Sequence, residues 1–61
     1  KRYAEAEPLI RQTVEIAEAT FGPDHRQVAD YLNGLATILQ ELGRTEEAQA
    51  LFARADHIGT H

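Results

Sequence analysis

The sequence repeats itself at an offset of 42 residues, and this repeat restricts the fold more than any other feature. Arg2 aligns with Arg44 (44 − 2 = 42), and the residues after each arginine correspond position by position. The identical pairs at this offset are Arg2/Arg44, Glu5/Glu47, Ala6/Ala48, Leu9/Leu51 and Ile16/Ile58. A period of this size is typical of helical repeat arrays. Stacked helical repeats form open concave surfaces, so the repeat predicts partner binding rather than catalysis.

Composition and charge exclude several classes of protein. The 61-residue chain contains no cysteine, which excludes disulfides and thiolate metal sites. A chain without disulfides fits a reducing compartment, and we expect the cytoplasm. The formal net charge of −4 disfavours nucleic acid as a partner, because nucleic-acid-binding modules carry basic patches. The apolar runs are too short to span a membrane, so no membrane partner is expected either.

Apolar residues spaced three and four positions apart predict three helices. Their expected ranges are 3–20, 25–42 and 45–58. Gly22 and Gly43 are predicted to end the first two helices, because glycine readily adopts the left-handed conformation that closes a helix. The short connections predict antiparallel neighbours. The sequence therefore indicates an all-α fold.

Several single residues bear on the boundaries and course of these helices. Asp24 and Thr45 are the predicted N-caps of the second and third helices. The first helix either begins near Pro8, where proline suits the first turn, or begins near Tyr3 and bends at Pro8. We favour the second alternative, a helix that begins near Tyr3 and bends at Pro8, because the apolar stripe begins before the proline. Gly34 lies inside the second helix, where it predicts a close approach of another backbone.

The residues from Leu32 to Ala55 resemble a tetratricopeptide repeat. The repeat consists of the second and third helices of the chain. The positions that match the family pattern are Leu32, Leu35, Ala36 and Leu39 in its first helix, Gly43 in the turn, and Ala48, Phe52 and Ala55 in its second helix. The resemblance implies an antiparallel helical hairpin repeat, a fragment of an α-solenoid with about one and a half repeats. Residues 1–22 would be the second helix of a partial repeat, and residues 23–61 the helical hairpin of the next. Residues predicted to pack together across the turn are Leu35, Ala36, Leu39, Ala48, Phe52 and Ala55.

The 42-residue period is longer than the usual 34 residues of this family. Together with Glu5-Ala6-Glu7-Pro8-Leu9, Gly22-Pro23-Asp24-His25 and Leu32-Asn33-Gly34-Leu35-Ala36, it resembles the kinesin light chain type of tetratricopeptide repeat. Gly34 stands where that subfamily usually has a second asparagine. The resemblance implies a non-enzymatic scaffold that binds a peptide or a partner protein in a groove.

A polar face of the second helix is the candidate binding site. Asp30, Asn33, Thr37 and Glu41 are expected opposite the stripe of leucines, since successive helical residues are about 100° apart. The Asn33 amide both donates and accepts hydrogen bonds, which suits contact with a peptide backbone. The alternative interpretation is a solvated helix face. No lysine or arginine is expected on this face, so a basic site that grips a carboxylate is not predicted.

The sequence predicts neither a metal site nor catalysis. His57 and His61 are four residues apart, the spacing of two ligands on one helix face. Gly59 lies between them, however, and we interpret both histidines as surface residues. The glutamates of the first helix are dispersed, and Glu7 and Arg11 form a favourable i, i+4 pair. With no nucleophile, base or phosphate-binding loop in evidence, we predict no enzyme, no catalytic residue and no cofactor.

Self-association, or a structural role within a longer array, is the alternative function. The first helix lacks the partner helix that precedes it in a full repeat. Its apolar surface, carrying Tyr3, Leu9, Ile10 and Val14, is therefore predicted to be partly open. An open apolar patch of a few hundred Å² represents several kcal/mol of missing burial. We accordingly expect the isolated chain to be poorly folded or oligomeric.

Overall fold

The computed structural model describes residues 2–59 of the chain, and three α-helices account for most of them. Helix α1 is Tyr3–Phe21, α2 is Arg26–Glu41 and α3 is Thr45–Gly59. Helices are the only regular secondary structure in this range. The all-α class, the helical hairpin repeat and the order of the helices are confirmed, and the boundaries agree with the sequence to within one residue. None of these three helices is long and apolar enough to cross a membrane.

Glycine ends the second helix through a well-defined hydrogen-bonding motif. Gly43 has a φ of +84°, in the left-handed region that favours glycine. The Gly43 N–H donates to the carbonyl of Gln40 at 3.0 Å, and the Arg44 N–H donates to the carbonyl of Leu39 at 2.8 Å. These two bonds are the Schellman pattern, which satisfies the last carbonyls of a helix. The turn between α2 and α3 is therefore only three residues long, and it brings the two helices side by side.

The start of α2 differs from the prediction. His25, not Asp24, is the N-cap, and its Nδ1 accepts a hydrogen bond from the Gln27 N–H at 3.0 Å. The His25 ring also stacks on Phe21, with ring centroids 4.8 Å apart. A neutral imidazole nitrogen can accept from the helix end as an Asx oxygen does, and stacking on Phe21 favours this ring orientation. At α3, Thr45 is the first helical residue rather than a residue ahead of the helix.

Neither the proline inside α1 nor the glycine inside α2 interrupts its helix. Helix α1 begins at Tyr3 and continues through Pro8, as favoured from the apolar stripe. The Ala6 N–H already donates to the carbonyl of Arg2, so the first turn forms before the proline. Gly34 lies within an unbroken α2, but a Cβ placed on it would have nothing within 4 Å. The predicted close backbone approach at Gly34 is therefore wrong for the described residues.

A single apolar core lies on both sides of α2, which packs against α1 and against α3. Its buried members are Val14, Ala17, Val28, Ala29, Leu32, Leu35, Ala36, Leu39, Ala48, Ala55 and Ile58. Five of the six residues predicted to pack across the second turn are among them. The sixth, Phe52, is half-buried against the same cluster. Burial of Leu32 and Leu39 at 1% and 0% exposure shows that α2 is the central helix.

The open surface of α1 was predicted correctly for one residue and wrongly for another. Leu9 is exposed, whereas Val14 is buried because it packs into the core shared with α2. Ile10 and Tyr3 are half-buried. The other large apolar side chains exposed on this helix are Ile16 and Phe21. The exposed apolar face of α1 is thus formed by Leu9, Ile16 and Phe21.

Candidate partner-binding surface

The polar face of α2 points away from the core. Asp30, Asn33, Thr37 and Glu41 are all exposed, while leucines at positions 32, 35 and 39 are buried. Steps of three and four residues place the four polar side chains along one strip of the helix. The sequence thus segregates polar from apolar residues on α2. No described residue covers this strip, so it is open to a ligand.

A depression between α2 and α3 divides the four predicted residues into two groups. It has a volume of about 580 Å³ and is lined by Arg26, Ala29, Asp30, Asn33, Phe52, Ala55 and Asp56. Asp30 and Asn33 therefore border it, together with residues of the other helix. Thr37 and Glu41 lie further along α2 and do not line the depression.

Sequence reasoning missed five of the seven residues that line the depression: Arg26, Ala29, Phe52, Ala55 and Asp56. Arg26 lies four residues before Asp30, so it shares the exposed strip on which no cation was expected. Phe52 and Asp56 come from α3, and only the packing of the hairpin places them beside α2. The spacing from Arg26 to Asp30 was available in the sequence. The α3 contribution required the crossing of the two helices to be known.

The lining combines an apolar floor with a charged rim. Ala29 and Ala55 are buried and small, and Phe52 exposes part of its ring beside them. Arg26, Asp30 and Asp56 give the rim both signs of charge. Such a surface can accept an apolar side chain and contact the polar groups around it.

Hydrogen bonding on the strip leaves Asn33 available. The Thr37 hydroxyl donates to the main-chain carbonyl of Asn33 at 2.9 Å. The side-chain amide of Asn33 makes no hydrogen bond to another residue in the range 2–59. Its donor and acceptor atoms are thus free to contact a peptide main chain.

Ion pairs connect α1 with α3, whose backbones do not approach closely anywhere in the described structure. Arg11 donates through Nε to Glu7 at 2.6 Å and through Nη2 to Glu47 of α3 at 2.9 Å. Arg44 also pairs with Glu47, at 2.7 Å. Two turns further along each helix, Glu18 of α1 pairs with Arg54 of α3. In the first connection the arginine lies on α1 and the carboxylate on α3, and in the second the carboxylate lies on α1 and the arginine on α3. The two connections therefore favour one register of α1 against α3.

The first of these networks shifts two pKa values. The hydrogen bond from Arg11 lowers the pKa of the Glu47 carboxyl, and the nearby charge of Arg44 lowers it further. The hydrogen bonds that Arg11 donates to Glu47 and Glu7 raise the pKa of the guanidinium. Both shifts favour the charged forms. These charged groups form ion pairs within and between helices, and they do not line the depression.

No metal site is formed by the residues that the structure describes. Within 2–59, no group of three or more histidine, cysteine or acidic side chains is placed to bind a metal ion. His57 lies in the last turn of α3. His61, its predicted neighbour at the same face, lies outside the described residues.

Comparison with protein families identifies the family of the chain. The family model of the tetratricopeptide repeat matches residues 1–55, which is most of the chain. No curated protein and no solved structure matches significantly. The helical hairpin, the turn at Gly43 and the small residues buried between α2 and α3 agree with the family match. The chain belongs to the tetratricopeptide repeat family.

Proposed function

We propose that the chain is a non-enzymatic scaffold that binds a peptide or a partner protein along the polar strip of α2 and in the adjoining depression. Tetratricopeptide repeats are in general protein interaction modules. The observation that supports this proposal is the convergence of Asp30 and Asn33 of α2 with Phe52 and Asp56 of α3 around one depression.

The arrangement of the lining suggests how a peptide would bind. One apolar side chain of the peptide would fill the depression against Phe52 and the alanines beneath it. The free amide of Asn33 would hydrogen-bond the main chain of the peptide. Thr37 and Glu41 would extend the contact along α2, with Glu41 favouring a basic residue. Asp30 and Asp56 outnumber Arg26 at the rim, which also favours a peptide that carries positive charge.

We further propose that the chain is of the kinesin light chain type and acts in the cytoplasm. The 42-residue offset and the three motifs quoted above support the subfamily. The absence of cysteine supports a reducing location. We divide the chain into a partial repeat at 1–22 and a full hairpin at 23–61. The positions of the helices support this division, since α1 lies in the first part and α2 and α3 lie in the second.

Selection from a random displayed peptide library tests the binding proposal without a known partner. Peptides that bind the chain should be enriched in an apolar residue beside basic ones. Their affinity for the Asn33→Ala variant should fall about 2- to 12-fold, the equivalent of one net hydrogen bond of about 0.5–1.5 kcal/mol. Thr37→Ala should have a smaller effect, since its hydroxyl already donates within the helix.

Gln12→Ala on α1 is the matched control, because Gln12 is also an exposed amide but lies on a different helix. Circular dichroism of each variant establishes that helical content is unchanged. Selected peptides that bind Asn33→Ala and Thr37→Ala as tightly as the parent would show that the strip is only a solvated face.

Self-association is the second candidate function, and the exposed apolar side chains of α1 are the observation in its favour. Leu9 and Ile16 are 65% and 60% exposed, and Phe21 is also exposed. Light scattering over a range of concentrations measures the molar mass in solution. A mass that rises with concentration supports self-association, and a constant monomer mass contradicts it.

A further inference from the structure

The pair Asn33-Gly34 in α2 places a free side-chain amide beside an unhindered main-chain nitrogen. Asn33 is the only asparagine of the chain, and both residues of the pair are exposed. The Asn33 side-chain amide has no hydrogen-bond partner within residues 2–59. A Cβ placed on Gly34 would have nothing within 4 Å, so no other part of the described structure shields this peptide group. The pair is therefore accessible to water.

An asparagine followed by glycine can lose its side-chain amide without a catalyst. The main-chain nitrogen of Gly34 gives up its proton and attacks Cγ of Asn33, and the new carbon–nitrogen bond closes a five-membered succinimide ring. The Cγ–Nδ2 bond breaks, and Nδ2 leaves with the proton as ammonia. Water then opens the ring at one of its two carbonyl carbons and leaves either aspartate or isoaspartate. Glycine hinders the attack least, because it has no Cβ.

The helical conformation of α2 opposes this reaction. In an α-helix the Gly34 N–H donates to the carbonyl of Asp30, four residues earlier, and it must leave that bond before the nitrogen attacks. Glycine is also the weakest helix former in α2, so the helix opens more easily here than it would with alanine. The reaction thus proceeds from an open state of α2, and its rate follows the population of that state.

We propose that Asn33 is a deamidation site whose rate is set by the opening of α2, and that its product changes the charge of the polar strip. Asp30 and Asp56 already outnumber Arg26 at the rim of the depression. Aspartate at position 33 adds a third carboxylate there and removes the amide donors. Isoaspartate adds a methylene group to the main chain and so interrupts the hydrogen bonds of α2. The effect on ligand binding rests on the proposed function, whereas the modification itself does not.

Peptide mapping by mass spectrometry tests the site. The chain is incubated in mildly alkaline buffer, with and without urea, and trypsin then releases residues 27–44, which lie between two arginines. The mass increase from amide to acid should appear at Asn33. It should not appear at Gln40 of the same peptide, whose side chain must close a six-membered ring. Urea should raise the rate at least about 100-fold, because it fully populates the open state.

Matched variants separate the opening of the helix from the chemistry of the pair. Leu39→Ala leaves the pair intact but destabilises α2, so it should react at least about 10-fold faster than the parent in native buffer and equally fast in urea. Gly34→Ala should react more slowly than the parent in urea, where only the added Cβ differs. Asn33→Gln should show no mass increase at position 33 over the same period.

Two results would overturn the proposal. A parent chain that reacts as fast in native buffer as in urea would show that α2 does not control the reaction. Equal rates for the parent and Gly34→Ala in urea would show that Asn33-Gly34 is not a reactive pair.

The effect on binding is measured with Asn33→Asp and a peptide selected from the library. The affinity of a lysine-containing peptide is divided by that of its alanine analogue. This ratio should be about 1.5- to 5-fold higher for Asn33→Asp than for the parent, as expected for one added exposed charge pair. An unchanged ratio, together with the mass increase at Asn33, would contradict the proposed binding surface and leave the modification site established.

Discussion

Helices α1 and α3 are copies of one repeat position, yet their equivalent residues lie in different environments. Ile16 and Ile58 are the same residue at the same position, and their exposures are 60% and 5%. Glu5 and Glu47 likewise share a position, but only Glu47 is bound by an arginine of a neighbouring helix. The comparison shows that burial in this chain depends on which helix lies alongside. The residue itself permits burial but does not cause it.

On another side of the same two helices, equivalent positions carry different residues. Val14 of α1 is buried against α2, and its equivalent in α3 is Asp56, which is exposed at the rim of the depression. Here the sequence differs where the environment differs. A charged residue would be costly at the position of Val14, and it is tolerated at Asp56 because water reaches it.

The largest loss of stability is expected for a substitution in α2, the helix that covers Ile58 of α3 but not Ile16 of α1. Leu39 of α2 is fully buried, so Leu39→Ala should lower the free energy of unfolding by about 2–5 kcal/mol. A chain of this length has about 3–9 kcal/mol in total, so the variant should lose a large part of its stability and unfold at a much lower denaturant concentration than the parent. Chemical denaturation followed by circular dichroism measures the change. A denaturation curve that overlays the parent would contradict the central place of α2. Gln40→Ala, at the exposed neighbouring position, should leave the curve nearly unchanged.

The paired isoleucines give the sharpest test of the comparison itself. Ile58→Ala removes a buried side chain and should cost about 2–5 kcal/mol. Ile16→Ala removes a mostly exposed one and should cost less than about 0.5 kcal/mol. Because the two substitutions are chemically identical, the difference between their effects reports mainly the difference in burial. Equal losses in denaturation experiments would mean that Ile16 is covered in the parent chain, for example by a second copy.

The helices could be predicted because their signals are local. Glycines at 22 and 43, together with the apolar spacing, define three helices, and the structure has them within one residue of the expected bounds. Caps are harder to predict. Asp24 is the commoner N-cap type, but stacking on Phe21 places the His25 ring where its nitrogen accepts the hydrogen bond instead. Similarly, no property of Gly34 alone distinguishes a close contact from open solvent.

The candidate surface could be predicted only on one helix. Spacing alone shows that Asn33 and Asp30 lie opposite the leucines, and both are exposed. The contribution of Phe52 and Asp56 depends on how α2 crosses α3, which periodicity does not give. Burial of Val14 but not Ile16 depends in the same way on the rotation of α1 against α2. These errors share a cause: an apolar stripe about 100° wide or more can face a neighbouring helix with either of its edges.

The smallest expected effect concerns the paired glutamates and depends on pH. Arg11 and Arg44 hold the pKa of Glu47 below its ordinary value of 4.5, so the folded chain releases this proton more readily than the unfolded chain does. The resulting stabilisation is present above about pH 4.5 and is lost as the pH falls through the lowered pKa. Glu47→Gln should therefore reduce stability at pH 7 and flatten its decline in acid. Glu5→Gln should leave the stability at pH 7 nearly unchanged, since the Arg2–Glu5 pair is exposed and has no second cation among the described residues. Thermal midpoints of both variants from pH 7 to pH 3 check this expectation. If both variants gave the same pH profile, the contact between Arg11 and Glu47 would not distinguish α3 from α1 in solution.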